Sequence, residues 1–521
     1  MKKIKVFALL ATLFVGIFSN LFTPVVSADD TSDATVTIHK VKDYKNGDII
    51  NTGKQLPGLE FLDGITYNVY DVTAAYHAKY NEVYTSTTAQ AADNTARDYV
   101  QGTAGHAPKF EGTSYVATLK GTETTAGGGA ATFTLPKKSG GKNAVYVFVE
   151  QPKTGIKKAE NNLVLSFPVY ELNDKGEYTD NELTDIHLYP KNTTETITPV
   201  KDITTPNPDA DGRNNYNVGE KIGFKLSTPI PANIGIKEVD GTTPHYNIFG
   251  LIDIHDTTLA FDKEDDKHQL KVADTDIVLA KNTDYTIEVG KTTVEGKDKD
   301  TFKVKLTEAG INKLAEQGGK TLEFTYTMKL NAAAVMDTKN VNQVTVEYGR
   351  KTDTFDDVVT TKGNEKEVYT GGYHFIKTDV STNKPLAYAE FVVRDADATT
   401  AKYLKIDDTT KEISWVNSVT DATIFKTGED GIVDIKGLTY GTYYLQETKA
   451  PTDYVQLTKR IGFDVKFDSY KTTTTTPHNV ANTPKGFLPS TGGAGIILFV
   501  ALGAAMVGLA GVYFTSRRKD A

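Results

Sequence analysis

The stretch "YYLQETKAP", residues 443–451, places a glutamate among residues that a β-strand would bury. Successive side chains of a strand point to opposite faces, so Tyr443, Leu445 and Glu447 share one face. Tyr443 and Leu445 are apolar enough to face a core, and Glu447 is therefore carried inward with them. Burying a lone carboxylate costs free energy, so a strand here predicts a buried partner for Glu447.

The sequence around this stretch is typical of antiparallel strands. Short alternating runs rich in Thr, Val and Tyr are separated by Gly, Asn and Asp, for example "ATVTIHKV" (34–41), "NAVYVFVEQP" (143–152), "LEFTYTMKL" (322–330) and "NQVTVEYG" (342–349). Helical patterns are scarce, and "TEAGINKLAEQGG" (307–319) is the best short helix. The "KTTTTTP" run (471–477) is predicted as a loop or strand edge. The pattern predicts an all-β chain of sandwich-like domains.

The two ends of the chain predict export and membrane insertion. Residues 1–28 combine a basic start, an apolar run and small residues before the expected cleavage point, as in a secretory signal peptide. Residues 494–514 carry no charge and are long enough to span a bilayer, and "SRRKDA" follows. By the positive-inside rule the tail stays in the cytoplasm and the rest lies outside. The 521 residues leave room for about three domains between these ends.

Composition excludes several function classes. There is no cysteine, so any covalent brace in this exported chain must come from other residues. The net charge is −9 with both signs mixed along the chain, and no basic run indicates nucleic acid binding. The acidic stretch 207–218 has Val218 where a calcium loop needs a glutamate, and the histidines are scattered, so no metal or cofactor is predicted. The "AGGGAA" run (126–131) is predicted to connect strands.

"LPSTGG" (488–493), followed by the apolar span and the basic tail, resembles the LPxTG cell-wall sorting signal of Gram-positive surface proteins. The resemblance implies that a sortase cuts between Thr491 and Gly492 and forms an acyl-enzyme that an amine resolves. The motif residues are Leu488, Pro489, Ser490, Thr491 and Gly492.

"YPK" in "HLYPKN" (187–192) resembles the pilin motif of major pilins in sortase-assembled pili. The resemblance implies that Lys191 is the amine that attacks the Thr491 acyl-enzyme of a neighbouring subunit. A donor at one end and an acceptor in the first domain give a head-to-tail contact, which generates an open filament.

"YLQETKAPTDY" (444–454) resembles the E-box of these pilins and of collagen-adhesin B-type domains, although Asp453 stands where many members have Gly. In that family the glutamate promotes an isopeptide bond between a lysine on the first strand and an asparagine on the last. The resemblance implies Lys377 and Asn482 as the partners of Glu447. Alternation carries both inward, because Lys377 shares a face with Phe375, and Asn482 shares one with Val480.

Two further sets of residues repeat this layout. In the first block the candidates are Lys40, Glu150 and Asn192; in the middle block they are Lys201, Asp253 and Asn342. Asp253 is nominated because "GLIDIHD" (250–256) resembles the acid-bearing strand of collagen-adhesin A-type domains. Alternation is poorer in the middle block, and the residues that a shifted register would substitute are Asp256, Asn340 and Asn331.

Burial makes such a set reactive. It lowers the pKa of a lysine from about 10.4 and raises that of a carboxyl group, so the amine loses its charge and becomes a nucleophile. A neutral Glu447 is expected to hydrogen-bond and polarise the Asn482 carbonyl, and then to pass a proton to the departing ammonia. The fold holds the reacting atoms together.

The sequence therefore predicts three tandem immunoglobulin-like β-sandwich domains of B, A and B type. Their expected bounds are 29–192, 193–365 and 366–483, between the signal peptide and a sorting signal at 484–521. The predicted function is that of the shaft-forming subunit of a surface pilus, a structural protein that is no enzyme beyond its own autocatalytic bonds. Its expected partners are identical subunits, pilus-class and housekeeping sortases, minor tip and base pilins, peptidoglycan and a host surface molecule.

Two alternatives remain open. The first is an ancillary pilin or a stand-alone wall-anchored adhesin for a host matrix protein, which needs the anchor but not the Lys191 acceptor. The second is a wall-anchored hydrolase, which requires a cleft with convergent titratable groups.

Overall fold

The computed structural model describes residues 32–44, 49, 51–158, 160–173, 177–238, 240–486 and 494–517. The predicted signal peptide (1–28) and the sorting motif (488–492) lie outside the described residues. The chain forms two compact units. The first contains residues up to Pro208 together with 221–333 and 339–368, and the second contains 209–220, 334–338 and the residues from Tyr369 onward.

The first unit begins with a β-sandwich whose two sheets enclose an apolar core. One sheet has the strand order Asp185–Leu188, Asp33–His39, Ala130–Pro136, and the other has Leu163–Ser166, Val145–Glu150, Thr66–Asp71, Thr118–Thr124. Phe133 and Phe148 meet across this core at 5.5 Å between ring centroids. Further strands complete this part: Val41–Lys42, Lys138–Ser139, Lys142–Asn143, Ile156–Lys158, Val169–Leu172, Tyr178–Leu183 and Lys191–Thr194.

Two helices that the sequence analysis did not identify cover the outer face of this sandwich. They span Thr73–Tyr84 and Ala89–Gln101. The Val145–Glu150 strand is buried on both faces, because its outward valines pack against Ala96 and Val100 of the second helix. The Thr88 hydroxyl caps that helix by accepting a hydrogen bond from the Ala91 amide at 3.2 Å.

The first unit continues with a second pair of sheets. One has the order Val200–Ile203, Lys221–Pro229, Thr321–Leu330, Gln269–Val272, Val278–Leu279, and Leu259–Phe261 also pairs with Thr321–Leu330. The other contains Asp356–Tyr369, Asn340–Lys351, Ile248–Asp256, Lys297–Leu306, Tyr285–Val294 in that order. Thr321–Leu330 alternates between half-buried and fully buried residues along its whole length, as a sandwich strand should.

The second unit is built on the strands around the quoted stretch. The first sheet orders Ile432–Leu438, Gly371–Asp379, His478–Asn482, and the second orders Ile413–Val416, Tyr403–Ile406, Glu390–Arg394, Gly441–Lys449, Ile461–Val465. Gly371–Asp379 and His478–Asn482 are parallel neighbours, with Lys377 opposite Val480. Smaller elements are the strands Asn214–Asn215 and Phe425–Lys426 and the 3₁₀ turn Val419–Asp421.

The threonine-rich run 471–477 was predicted wrongly. Ser469–Thr475 is a helix that leads into the His478–Asn482 strand. Threonine is a poor helix former, but tertiary hydrogen bonds override that preference. Ser469 donates its hydroxyl to the Gly372 carbonyl at 2.9 Å, and Thr473 accepts the His374 amide proton at 2.9 Å.

Other local predictions agree with the structure. A helix spans Glu308–Lys313 inside the predicted 307–319 stretch, with Thr307 as its N-cap. The "AGGGAA" run forms the turn that leads into Ala130–Pro136. In the 207–218 stretch the Arg213 guanidinium lies 3.2 Å from Asp209 and 2.6 Å from Asp211, so the chain's own cation occupies this acidic turn.

The ends of the strands bear on the expected domain limits. The first expected boundary, between 192 and 193, falls inside the Lys191–Thr194 strand, and residues 195–199 connect that strand to Val200–Ile203. The second expected boundary, between 365 and 366, falls inside the Asp356–Tyr369 strand. A final helix, Ala494–Arg517, contains the apolar window Phe499–Ser516 with a mean hydropathy of 1.7, enough to cross a membrane by length and composition.

Candidate functional site

The glutamate of the quoted stretch lies against the lysine and the asparagine predicted for it. Lys377, Glu447 and Asn482 are each no more than 3% exposed. The Lys377 ammonium lies 3.2 Å from Glu447 Oε1 and donates to Asn482 Oδ1. Asn482 Nδ2 donates to both carboxylate oxygens of Glu447, at 3.0 and 3.1 Å. The amine, the acid and the amide therefore form a closed triangle inside the core.

The surroundings of this triangle affect the pKa of Lys377 and hold the Glu447 carboxylate in place. Lys377 Nζ lies 5.6 Å from the centroid of the Phe391 ring, and desolvation lowers the pKa of Lys377 although Glu447 opposes that shift. The Leu457 amide donates to Glu447 Oε2 at 2.7 Å and fixes the carboxylate. Asp453, which replaces the family's glycine in this loop, adopts a left-handed φ of +66°, the backbone region that glycine favours.

The middle group is the most deeply buried. Lys201, Asp253 and Asn342 are all 0% exposed. Lys201 Nζ donates to Asp253 Oδ2 at 2.7 Å and also to Asn342 Oδ1. Lys201 lies in one sheet of its sandwich and the other two lie in the facing sheet, so this group joins the two sheets across the core.

Two residues that sequence reasoning did not identify hold the middle acid. The Tyr326 hydroxyl donates to Asp253 Oδ2 and accepts a hydrogen bond from Asn342 Nδ2 at 3.3 Å. His255 Nδ1 lies 2.7 Å from Asp253 Oδ1. Both share the inward face of their strands with core residues, so alternation could have placed them inward but could not have shown which acid they meet.

Opposing effects set the pKa values of the middle pair. Desolvation lowers the pKa of Lys201 to about 8, against the attraction of Asp253. Burial alone would raise the pKa of Asp253, but Lys201 and His255 outweigh it and hold the carboxyl below its ordinary value. The pair therefore rests as ammonium and carboxylate, and transfer of one proton gives a neutral amine beside a neutral acid.

The first group places a lysine and an asparagine on either side of one acid, at the start of the chain. Lys40 Nζ donates to Glu150 Oε2 at 2.6 Å, and Asn192 Nδ2 donates to Glu150 Oε1. Lys40 is fully buried, and desolvation lowers its pKa while Glu150 opposes the shift. The Tyr67 hydroxyl donates to Glu150 Oε2 at 3.1 Å. Among the described residues, the buried Asn192 Oδ1 atom has no hydrogen-bond partner.

One expectation about the acids is corrected by this geometry. Glu447 was expected to face the carbonyl oxygen of Asn482, but it accepts hydrogen bonds from the amide nitrogen, as Glu150 does from Asn192. The reason is local competition, because the Lys377 ammonium already donates to the Asn482 carbonyl oxygen. The acid is therefore positioned at the nitrogen that would leave.

The residues of a shifted register have other partners. Asp256 accepts hydrogen bonds from Lys299 at 2.5 Å and from the Val341 amide at 2.6 Å. Asn340 donates to the Val368 carbonyl at 3.0 Å, and Asn331 to the Thr257 carbonyl at 2.8 Å. Lys201 therefore meets Asp253 and Asn342 rather than these residues.

The tyrosine of the "YPK" motif is packed against the first sandwich. Tyr189 is 2% exposed, its ring stacks on His39 at 4.9 Å between centroids, and its amide donates to Asn51 Oδ1 at 2.6 Å. Lys191 begins a strand that is parallel to Val41–Lys42, and its carbonyl accepts the Lys40 ammonium at 3.1 Å. The predicted acceptor is thus adjacent to the first buried group, while Thr491 lies outside the described residues.

Comparison with known protein families assigns three parts of the chain. Residues 31–193 match the N-terminal domain D1 of Gram-positive pilin subunits, 371–479 match a prealbumin-like fold domain, and 482–521 match the LPXTG cell wall anchor motif. A search of curated protein sequences found no match. These assignments confirm the predicted resemblance to pilins and the cell-wall location.

Three solved pilin structures are among those similar to this chain. The full-length RrgB pilus protein of Streptococcus pneumoniae is 18% identical, with 89% of this chain and 100% of that chain covered and a TM-score of 0.56. The full-length major pilin SpaD of Corynebacterium diphtheriae is 20% identical, with 89% and 100% covered and a TM-score of 0.42. BcpA, the major pilin subunit of Bacillus cereus, is 14% identical, with 87% and 99% covered and a TM-score of 0.44. The likeness to RrgB confirms the predicted multi-domain β fold.

Proposed function

We propose that this pilin-type cell-wall protein is the shaft-forming subunit of a surface pilus, joined head to tail by a sortase and braced by three internal isopeptide bonds. The observation that carries the proposal is the threefold recurrence of a buried lysine, acid and asparagine. Buried charges are costly unless they are paired, and a lysine and an acid already pair with each other, so none of the three groups needs an amide side chain for pairing alone. A reaction between the lysine and the asparagine would account for the asparagine in each group.

The proposed internal step is a transamidation. The acid takes a proton from the lysine ammonium, and the freed nitrogen attacks Cγ of the asparagine. A new C–N bond forms, the bond from Cγ to Nδ2 breaks, and Nδ2 leaves as ammonia with a proton supplied through the acid. Short distances support this step, because Lys40 and Lys201 lie 2.6 and 2.7 Å from their acids and the core holds the groups in contact.

The proposed external step uses Lys191 and Thr491. A sortase forms an acyl-enzyme at Thr491 with loss of the residues from Gly492 onward, and the Lys191 amine of another subunit resolves it. The pilin and anchor family matches support this assignment at the level of the domains that carry each residue. We also propose that each buried group marks one domain, with bounds near 29–192, 193–365 and 366–483.

The internal step is tested by the mass of the full chain purified in detergent. Each bond removes one ammonia, so three bonds give a deficit of three ammonia molecules, and peptide mapping assigns each loss to its lysine–asparagine pair. A chain with its full calculated mass at all three pairs would refute the internal step.

The external step is tested by Lys191→Ala on cells, with Lys42→Ala as the matched control on the adjacent strand. We expect Lys191→Ala to abolish the ladder of high-mass polymers on denaturing gels while single chains still reach the wall, and Lys42→Ala to keep the ladder. An unchanged ladder in Lys191→Ala would favour the alternative, an ancillary pilin or wall-anchored adhesin.

A further inference from the structure

The middle buried group differs from the other two in how its acid reaches the amide nitrogen. Glu150 and Glu447 accept hydrogen bonds directly from Nδ2 of Asn192 and Asn482. Asn342 Nδ2 instead donates to the Tyr326 hydroxyl at 3.3 Å and to the Met328 sulfur at 3.2 Å. Asn342 and Asp253 are both among the described residues, and no hydrogen bond joins Asn342 Nδ2 to the Asp253 carboxylate.

Side-chain length explains the difference. Aspartate is one methylene shorter than glutamate, and Asp253 Oδ2 is already bound to Lys201 Nζ and to the Tyr326 hydroxyl. The other oxygen, Oδ1, lies 2.7 Å from His255. The carboxylate thus reaches the amine, while the hydroxyl of Tyr326 spans the remaining gap to the amide nitrogen.

We propose that Tyr326 is a catalytic residue for the middle isopeptide bond, relaying a proton from Asp253 to the departing nitrogen of Asn342. This inference rests on the proposed function and adds to it a residue that the other two sites do not need. Tyr326 is buried in the same core, and it reaches the group from the Thr321–Leu330 strand of the facing sheet.

The proton balance of the relay closes. Asp253 takes one proton from the Lys201 ammonium, and Nζ attacks Cγ of Asn342. As the bond from Cγ to Nδ2 breaks, Tyr326 gives its hydroxyl proton to Nδ2 and regains one from the Asp253 carboxyl group. Asp253 then takes the second proton that Nζ loses, so ammonia leaves and the carboxyl group ends protonated. Burial holds the pKa of Tyr326 well above its ordinary value, so the exchange passes through no free phenolate.

The first group supplies a matched control. Tyr67 also donates to its acid, at 3.1 Å, but Glu150 contacts Asn192 Nδ2 without help. Loss of the Tyr67 hydroxyl therefore removes a hydrogen bond of the same kind without removing a link to the leaving nitrogen.

The test measures the rate of ammonia loss at each pair by peptide mapping over time, starting from full chain that is recovered unfolded before any bond has formed and is then transferred to folding conditions. We expect Tyr326→Phe to slow the middle bond by about 100-fold, the lower range for loss of a proton-transfer group. Tyr67→Phe should leave the first bond within about threefold of the wild-type rate, since only an orienting hydrogen bond is lost. The bond at Lys377 in the same molecules reports that the second unit has folded.

A second variant separates the relay from a simple folding defect. In the double variant Asp253→Glu, Tyr326→Phe the longer acid reaches Nδ2 directly, as Glu150 and Glu447 do, and the middle bond should return. A wild-type rate in Tyr326→Phe, or no recovery in the double variant, would overturn the relay. Absence of the middle bond in the wild-type chain would instead refute the proposed function at this site.

Discussion

Replacing Glu447 with glutamine should prevent the isopeptide bond in the second unit. Glutamine has the same size but cannot take a proton from Lys377, so the amine stays charged and Asn482 keeps its nitrogen. We expect the mass deficit of the full chain to shrink by one ammonia, and the change to lie in the peptides that contain Lys377 and Asn482.

The structure gives the size of the stability loss. The two residues are 105 positions apart. Closing a loop of that length removes unfolded-state entropy equivalent to about 5 kcal/mol, by analogy with disulfides. For a domain of about 110 residues this corresponds to a fall in Tm of about 20 °C. Lys377 also loses its buried counter-charge in the variant, so the measured loss should be no smaller.

Calorimetry of the full chain, together with its mass, provides the assay. Glu429→Gln is the matched control, because this glutamate is exposed and its carboxylate contacts the Tyr388 hydroxyl at 3.3 Å. The control should keep both the ammonia deficit and the Tm. The reasoning fails if the Glu447→Gln chain still loses ammonia at the Lys377–Asn482 pair. It also fails if the chain keeps that ammonia and its Tm equals that of the wild-type chain.

Two further predictions concern the middle site and the first sandwich. The middle bond should form more slowly above about pH 8. Burial lowers the pKa of Lys201 to about 8, so above that pH the pair has lost the proton that Asp253 would pass on to the leaving nitrogen. A rate that rises above pH 8, in time courses that start from unfolded and unreacted chain, would contradict this. Thr88→Ala should lower the free energy of unfolding of the first sandwich by about 1 kcal/mol, because a helix cap is lost. The control Thr87→Ala, at an exposed neighbouring residue, should change that free energy by less than about 0.5 kcal/mol. Denaturant titrations measure both, and equal effects would rule out a stabilising cap at Thr88.

Strand alternation predicted the inward direction of the key side chains, and family resemblance predicted which of them belong together. Glu447 illustrates both, since its apolar neighbours at 443 and 445 carry it inward and the E-box names Lys377 and Asn482. Alternation alone could not have paired residues that are 105 positions apart. That pairing depends on the register between distant strands, which local patterns do not encode.

The missed elements show the limits of local patterns. Ala92, Ala96 and Val100 recur at helical spacing behind the Thr88 cap, so the Ala89–Gln101 helix had a readable signal. The Ser469–Thr475 helix had none, because its threonines favour strands and it depends on tertiary contacts, such as those with Gly372 and His374. Tyr326 was missed because its role depends on the facing sheet.

The position of Lys191 beside the first buried group determines how a filament would respond to pulling. With all the proposed bonds in place, force would enter a subunit at Lys191, cross from Lys201 to Asn342, cross again from Lys377 to Asn482, and leave at Thr491. Residues 202–341 and 378–481 would lie outside the covalent path that carries the force, and so would the sandwich that precedes Lys191. Such a filament would stretch very little, and the bypassed sheets would be free to vary without weakening it.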